Sequence, residues 1–165
     1  NTNGTLVEDL WLEAAEDGLR KLATYAANKN INVIVENHGG FSSQPEKLMQ
    51  VINALNMPNS GTLPDFGNWC IKWDRKSKTC KLKYDDYYKG IKLMMPAAKA
   101  VSAKSNDFDE NGNEIRIDYV KMLQIVKNAG YNGYIGIEYE GQRLSELEGV
   151  IATRDLLINA AKELK

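Results

Sequence analysis

Apolar positions along the chain fall into two alternating periods. Short runs rich in β-branched or small residues predict strands at 31–36 (within INVIVENHGG), 61–65 (GTLPD), 98–104 (AKAVSAK) and 134–138 (YIGIE). Between them, helical spacing predicts helices at about 7–29, 44–55, 85–95, 117–129 and 144–164. In the first helix Leu10, Ala14, Leu19, Leu22, Ala23 and Ala26 form the expected apolar stripe, and in the last Leu147, Val150, Ile151, Leu156, Ile158 and Ala161. Residues 3–6 are expected to lead into the first helix. Ser42 or Ser43 is the expected cap of the second, with Pro45 in its first turn. The run 31–35 reads as a strand buried on both faces.

Strand and helix alternate about four times, with connections that suit right-handed parallel crossovers. A closed (β/α)8 barrel takes about 250 residues, and this chain has 165. The expected fold is therefore α/β, about half of such a barrel, in a single domain over 1–165. A half-barrel exposes two edges, so either further strands upstream or a second copy is expected to close it. The opening NTNGTLVEDLW reads as a polar linker running into a helix, from the middle of a longer chain.

Composition changes this picture little. The chain is 43% hydrophobic and 26% charged, with a net charge of -1, so no electrostatic argument points to nucleic acid. No apolar run approaches the roughly 18 residues of a membrane span, and no membrane partner is expected. Cys70 and Cys80 lie in WCIKWDRKSKTCKLKY, which alternates around a charged centre and predicts a β-hairpin. Symmetric pairing about Arg75 would set the two cysteines opposite each other. A disulfide would indicate a periplasmic or secreted location, free thiols a cytoplasmic one. The loop SNDFDENGNE fails the spacing of a calcium loop and reads as a solvated connection.

The chemistry gathers at strand ends. Three of the four strands finish in carboxylates, Glu36, Asp65 and Glu138, and the other presents Ser102 and Lys104. In parallel neighbours these side chains converge on one rim, where three carboxylates repel unless a cation sits among them. Oxygen donors favour Mn2+ or Mg2+, with Co2+ or Zn2+ as further candidates. Such an ion could hold two oxygens of a sugar while Glu36 and Glu138 move protons on opposite sides. Strand alternation puts His38, the only histidine, on the side of Glu36 and turns Asn37 away. His38 reads as a metal or substrate contact or a loop hydrogen-bond partner, and Asn68 as a substrate contact or a turn residue. Lys104 could neutralise an acid, hold a substrate oxygen or pair with Asp107. Trp69 and Trp73 read as packing, rim or a sugar-stacking wall. The role of Glu140 is open.

The segments VENHGG, GTLPDFGNW, VSAKSNDFD and YIGIEYEG, in this order, resemble the second half of the xylose isomerase-like TIM-barrel superfamily, nearest in type to sugar phosphate isomerases and epimerases. The resemblance covers nearly the whole chain. It implies a divalent ion held by Glu36, Asp65 and Glu138, an acid/base pair in Glu36 and Glu138, and substrate contacts from His38, Asn68 and Lys104. The superfamily's histidine ligand falls at Ser102, a poor ligand. That departure leaves open a lower metal affinity, substitution by His38, or a positive charge supplied by Lys104. The expected activity is metal-dependent isomerisation or epimerisation of a small-molecule sugar. The alternatives are a carbohydrate-binding barrel with a decayed metal site and, less favoured by one histidine and no basic surplus, a relative of abasic-site endonucleases.

Overall fold

The computed structural model of the chain describes residues 8–165. The expected lead-in at 3–6 and the first residue of the expected first helix lie outside the described residues. In order come α1 (Glu8–Ala27), β1 (Val33–Glu36), α2 (Pro45–Leu55), β2 (Ser60–Leu63), β3 (Cys70–Asp74), β4 (Thr79–Lys83), α3 (Tyr87–Met94), β5 (Val101–Ser105), α4 (Tyr119–Asn128), β6 (Ile135–Tyr139) and α5 (Glu146–Lys162). Side-chain oxygens of Asp86, Asp118 and Ser145 accept from the backbone N–H of Lys89, Lys121 and Glu148, which satisfies the open first turns of α3, α4 and α5. Gly130, at φ +75°, ends the last turn after α4.

β1 and β2 run parallel with Glu36 beside Leu63, and β5 and β6 run parallel with Lys104 beside Glu138. Bridges Thr62–Ala98 and Asp65–Ser102 join the two pairs, giving a parallel arc β1-β2-β5-β6. This is a partial (β/α)8 barrel, as the alternating pattern requires. On β5, Val101 and Ala103 join the main core with Phe66, Met122, Leu123, Val126, Leu156 and Ala160. Ser102 and Lys104 point to the opposite face by strand alternation. A second cluster, Leu48, Ile52, Leu55 and Met94, packs α2 against the end of α3.

Burial departs from expectation at both ends of the arc. β1 pairs on one side only, so Ile31 and Ile34 are exposed and the strand is not buried on both faces. On α1, Ala23 and Ala26 are buried, whereas Leu10, Ala14 and Leu22 face solvent. On α5, Gly149, Thr153, Leu156 and Ala160 are buried, whereas Leu147, Val150, Ile151, Ile158 and Ala161 are exposed. A helix at the end of an arc packs on one neighbouring unit, and the rest of its apolar surface stays open.

Three local expectations also change. Ser42 and Ser43 do not cap α2; Gln44 sits at that position without a side-chain bond. Their hydroxyls instead accept from the N–H of His38 and Gly39 at 2.9 and 2.8 Å, which pins the 3-10 turn Gly40–Ser43. In the hairpin, Cys80 pairs with Trp73 rather than with Cys70. The turn at 75–78, closed by Asp74 accepting from Lys76 N–H and by Lys78 at φ +52°, shifts the register off symmetry about Arg75. The disulfide Cys70–Cys80 forms nonetheless, across a bulged stretch of the pair, with the Cα atoms 5.8 Å apart. In the loop before α4, Glu114 is buried rather than solvated, and accepts from the N–H of Asn106, Arg116 and Ile117.

The hairpin should therefore depend on its cross-link while the arc does not. Replacing both cysteines by serine is expected to weaken local protection of amides 70–84 by about 3 kcal/mol, the chain-entropy value for so short a loop. Amides of β5 and β6 should be unchanged in hydrogen exchange. Equal loss of protection in both regions would contradict this.

Candidate active site

The site is built from the turn that follows β2. Asn37, fully buried just beyond β1, donates from Nδ2 to the carbonyls of Asp65 and Asn68 at 3.0 and 3.2 Å and accepts from Asp65 N–H at 2.7 Å. Ser43 Oγ donates to the same Asn68 carbonyl at 2.6 Å. Buried polar groups left unpaired cost free energy, so one asparagine amide fixes how the end of β1 meets the turn after β2. Asp65 Oδ1 then accepts from the N–H of Gly67 and Asn68, both at 2.9 Å, closing the turn on itself.

From this turn Asn68 reaches both ways. Its Nδ2 donates to Glu36 Oε1 at 2.9 Å, and its Oδ1 accepts from Lys104 Nζ at 2.9 Å. Lys104 Nζ also pairs with Glu138 Oε1 and Glu140 Oε1, each at 3.1 Å. Its side chain is 3% exposed. The stem passes so close to Gly67 that a Cβ there would lie 3.0 Å from Lys104 Cγ and Cδ, which is tighter than packed carbons tolerate. The Tyr119 hydroxyl donates to the Lys104 carbonyl at 2.9 Å and steadies β5 at this point. Burial pulls the Lys104 pKa down, but its bonds to Glu138 and Glu140 and the charge of Asp65 outweigh this. The net shift is upward and the amine stays protonated.

Glu36, Asp65 and Glu138 each bring one carboxylate oxygen within 4.8 Å of the others. Asp65 is fully buried, and its Oδ2 has no hydrogen-bond partner among the described residues. Burial pushes its pKa up to about 6, opposed by the nearby Ser102 hydroxyl, the Gly67 N–H and the Lys104 charge, and reinforced by Glu36. Second oxygens of Glu36 and Glu138 are likewise without a protein hydrogen bond among the described residues.

The structure thus brings together Glu36, Asp65, Asn68, Lys104 and Glu138, all named by the sequence. It does not bring His38 among them. That residue is exposed, its ring lies outside the carboxylate group, and its N–H bonds to Ser42. Asn37 does not turn away from the site but anchors it. The chain leaves strand geometry after Glu36, so alternation no longer fixes direction there. Lys104 does not pair with Asp107, which faces Arg143 at 3.7 Å instead. Glu140 acquires a role as the second acid on Lys104. Trp69 is buried, donates from its indole N–H to the Phe66 carbonyl and stacks on Tyr87, so it is packing, whereas Trp73 is exposed.

Comparison with known proteins agrees with this fold. A family model described as a xylose isomerase-like TIM barrel matches residues 3–160. The chain is similar to a D-psicose 3-epimerase from Clostridium cellulolyticum H10, crystallised with D-tagatose, at a TM-score of 0.66 and 12% identity over 98% of this chain and 58% of that one. It is similar to an E. coli 3-keto-D-glucoside 4-epimerase at 0.67 and 13%, over 97% and 57%. A xylose isomerase domain protein from Planctomyces limnophilus gives 0.67 and 17%, over 99% and 56%. In sequence, the alpha subunit of a C-glycoside deglycosidase from Arthrobacter globiformis is 39% identical over 54 residues, 33% of this chain and 15% of that protein. The chain spans a little over half the length of these solved structures. With the strand-end motifs in place and the family model matching nearly end to end, the chain belongs to the xylose isomerase-like TIM-barrel family.

Proposed function

We propose that this chain supplies the catalytic rim of a metal-dependent sugar isomerase or epimerase. The observation that carries the reading is the meeting of Glu36, Asp65 and Glu138, from three separate βα units, within 4.8 Å. The donor set fits a hard divalent ion, Mn2+ or Mg2+: three carboxylates, with Asp65 Oδ2 buried and unpartnered. Co2+ or Zn2+ could also occupy such a site. When bound, a divalent ion would hold substrate oxygens and acidify the C–H between them. Ser102 stands where the family's histidine falls, so this chain offers three protein ligands rather than four.

The residues around that position divide the remaining work. Asn68 orients Glu36, and Lys104 orients Glu138, leaving one oxygen of each glutamate free to take or return a proton. Removal from one face of a hydroxy-ketone and return to the other inverts a carbon; return to the neighbouring atom moves the carbonyl. The Lys104 ammonium offsets negative charge developing on a substrate oxygen. His38, exposed in the loop after β1 and outside the carboxylate group, would touch a substrate only from the solvent side. Further strands, from a longer chain of which 1–165 is the C-terminal portion or from a second copy, would close the barrel over the exposed apolar faces of α1, β1 and α5. The Cys70–Cys80 disulfide favours an oxidising compartment. No described helix is long and apolar enough to cross a membrane.

One observation favours a second reading, a sugar-binding barrel without turnover. Lys104 already sits on Glu138, Glu140 and Asn68 and supplies positive charge where an ion would lie.

Interconversion of a ketose at C3, or of an aldose–ketose pair, stimulated by Mn2+, Mg2+ or Co2+, tests the proposal on the longest form of the protein. Glu36→Gln and Glu138→Gln should each lower turnover by at least 100-fold. Sugar binding without turnover in any metal would instead establish the second reading.

Burial of Asp65 makes a separate prediction. Its folded pKa of about 6 lies above the ordinary 3.8, so the carboxyl favours the folded state when protonated. Stability is lost as pH rises from about 4 to about 6 and stays lower above that, by about 3 kcal/mol. Metal-free Asp65→Asn should therefore unfold later than wild type at pH 8 and equally at pH 3.5. Adding Mn2+ at about 100 times its Kd should stabilise wild type by about 2.7 kcal/mol and leave the variant unmoved. A variant that is never more stable than wild type without metal would contradict the account.

A further inference from the structure

Residues 70–83 carry six basic side chains and one acidic, in a chain whose net charge is -1. Positive charge is thus concentrated on the β3–β4 hairpin. Asp74, its one acid, faces Lys81 at 3.8 Å and lies in the field of Lys72. Lys78 and Lys83 have no ion-pair partner among the described residues. Both line a cavity of about 440 Å3 together with Trp73, the Cys70–Cys80 disulfide and Gly67. Trp73 is 58% exposed, an unusual position for the largest apolar side chain. Gly67 belongs equally to the catalytic turn: its N–H holds Asp65 and its backbone lies against the Lys104 stem. Cavity and rim therefore share one turn of chain.

From this arrangement we propose that the hairpin is a subsite for an acidic saccharide, with a sugar ring on the Trp73 indole and its carboxylate or sulfate between Lys78 and Lys83. The indole offers a flat apolar face to the C–H side of a pyranose. Two unpaired ammonium groups beside it favour an anion over a neutral sugar. The cavity falls within the range of small-ligand sites, and the basic patch extends over one hairpin only, six of the chain's 21 lysines and arginines. Both features fit a short saccharide better than a polynucleotide, which needs a longer basic track. The disulfide braces both strands at the cavity wall and limits the ordering that binding would require. This subsite deepens the sugar-enzyme reading and rests on it for the identity of the ligand as a sugar.

The test is titration of the whole chain with trigalacturonate, with neutral maltotriose and with a 12-nucleotide single-stranded DNA, followed by calorimetry at low ionic strength. Trigalacturonate should bind at least tenfold more tightly than maltotriose, and the preference should shrink with added salt. The double variant Lys78→Gln/Lys83→Gln should abolish the preference, and Trp73→Ala should weaken trigalacturonate about tenfold. Unchanged thermal midpoints in both variants would show that the surface changes leave folding intact. Trigalacturonate preference in a protein that interconverts no sugar would keep the subsite and defeat the isomerase proposal, whereas sugar interconversion without that preference would do the reverse, so the two failures are told apart. Equal affinity for acidic and neutral sugars, no binding of either, or a preference that survives the lysine variant would overturn the proposal. DNA binding as tight as trigalacturonate and indifferent to Trp73→Ala would also overturn it, in favour of a general polyanion surface.

Discussion

Negative charge crowded into little space is the constraint to which the rest of the molecule responds. Four acids, Glu36, Asp65, Glu138 and Glu140, reach one mouth of the arc, and one of them is fully buried. Like charges at such distances raise one another's cost of ionisation. Lys104 offsets part of this with a single ammonium shared between Glu138 and Glu140. It does not reach the buried oxygen of Asp65, which stays unpartnered. A divalent cation would complete the neutralisation, and the proposed chemistry would then draw on the same charge.

Holding those acids in place falls to neutral groups. Asn37 stitches the end of β1 to the turn after β2 with three hydrogen bonds, and Asn68 links Glu36 to Lys104 across the mouth. Gly67 leaves room for the lysine stem. The Ser105 and Thr153 hydroxyls, 2.6 Å apart and buried, tie β5 to α5 behind the site. Each of these contacts joins segments far apart in sequence, so the geometry of the mouth is a property of the packed arc rather than of any one loop.

This explains what was legible in the sequence. The strand-end acids could be read because short apolar runs that stop near a charged residue mark where a parallel strand opens to its loop. β1 ends on Glu36, while β2 ends two residues before Asp65 and β6 runs one residue past Glu138. The five helices could be read from spacing, although the cap expected at Ser42 or Ser43 was not one and the caps Asp86, Asp118 and Ser145 were not foreseen. Asn37 could not, because its value lies in two backbone carbonyls 28 and 31 residues away, and strand alternation gave the wrong side once the strand had ended. The partner of Lys104 was ambiguous for the same reason: Asp107 is near in sequence, but Glu138 is beside it in the sheet. Leu147 and Leu22 belong to apolar stripes yet are exposed, because helical periodicity reports a stripe and not what covers it.

Crystals grown with Mn2+ and measured at a wavelength that reveals its anomalous scattering test the central claim most directly. The account predicts one strong peak among Glu36, Asp65 and Glu138, bonded to an oxygen of each at about 2.1 Å. Density for the Lys104 ammonium alone at that mouth, with every anomalous peak elsewhere on the molecule, would contradict it.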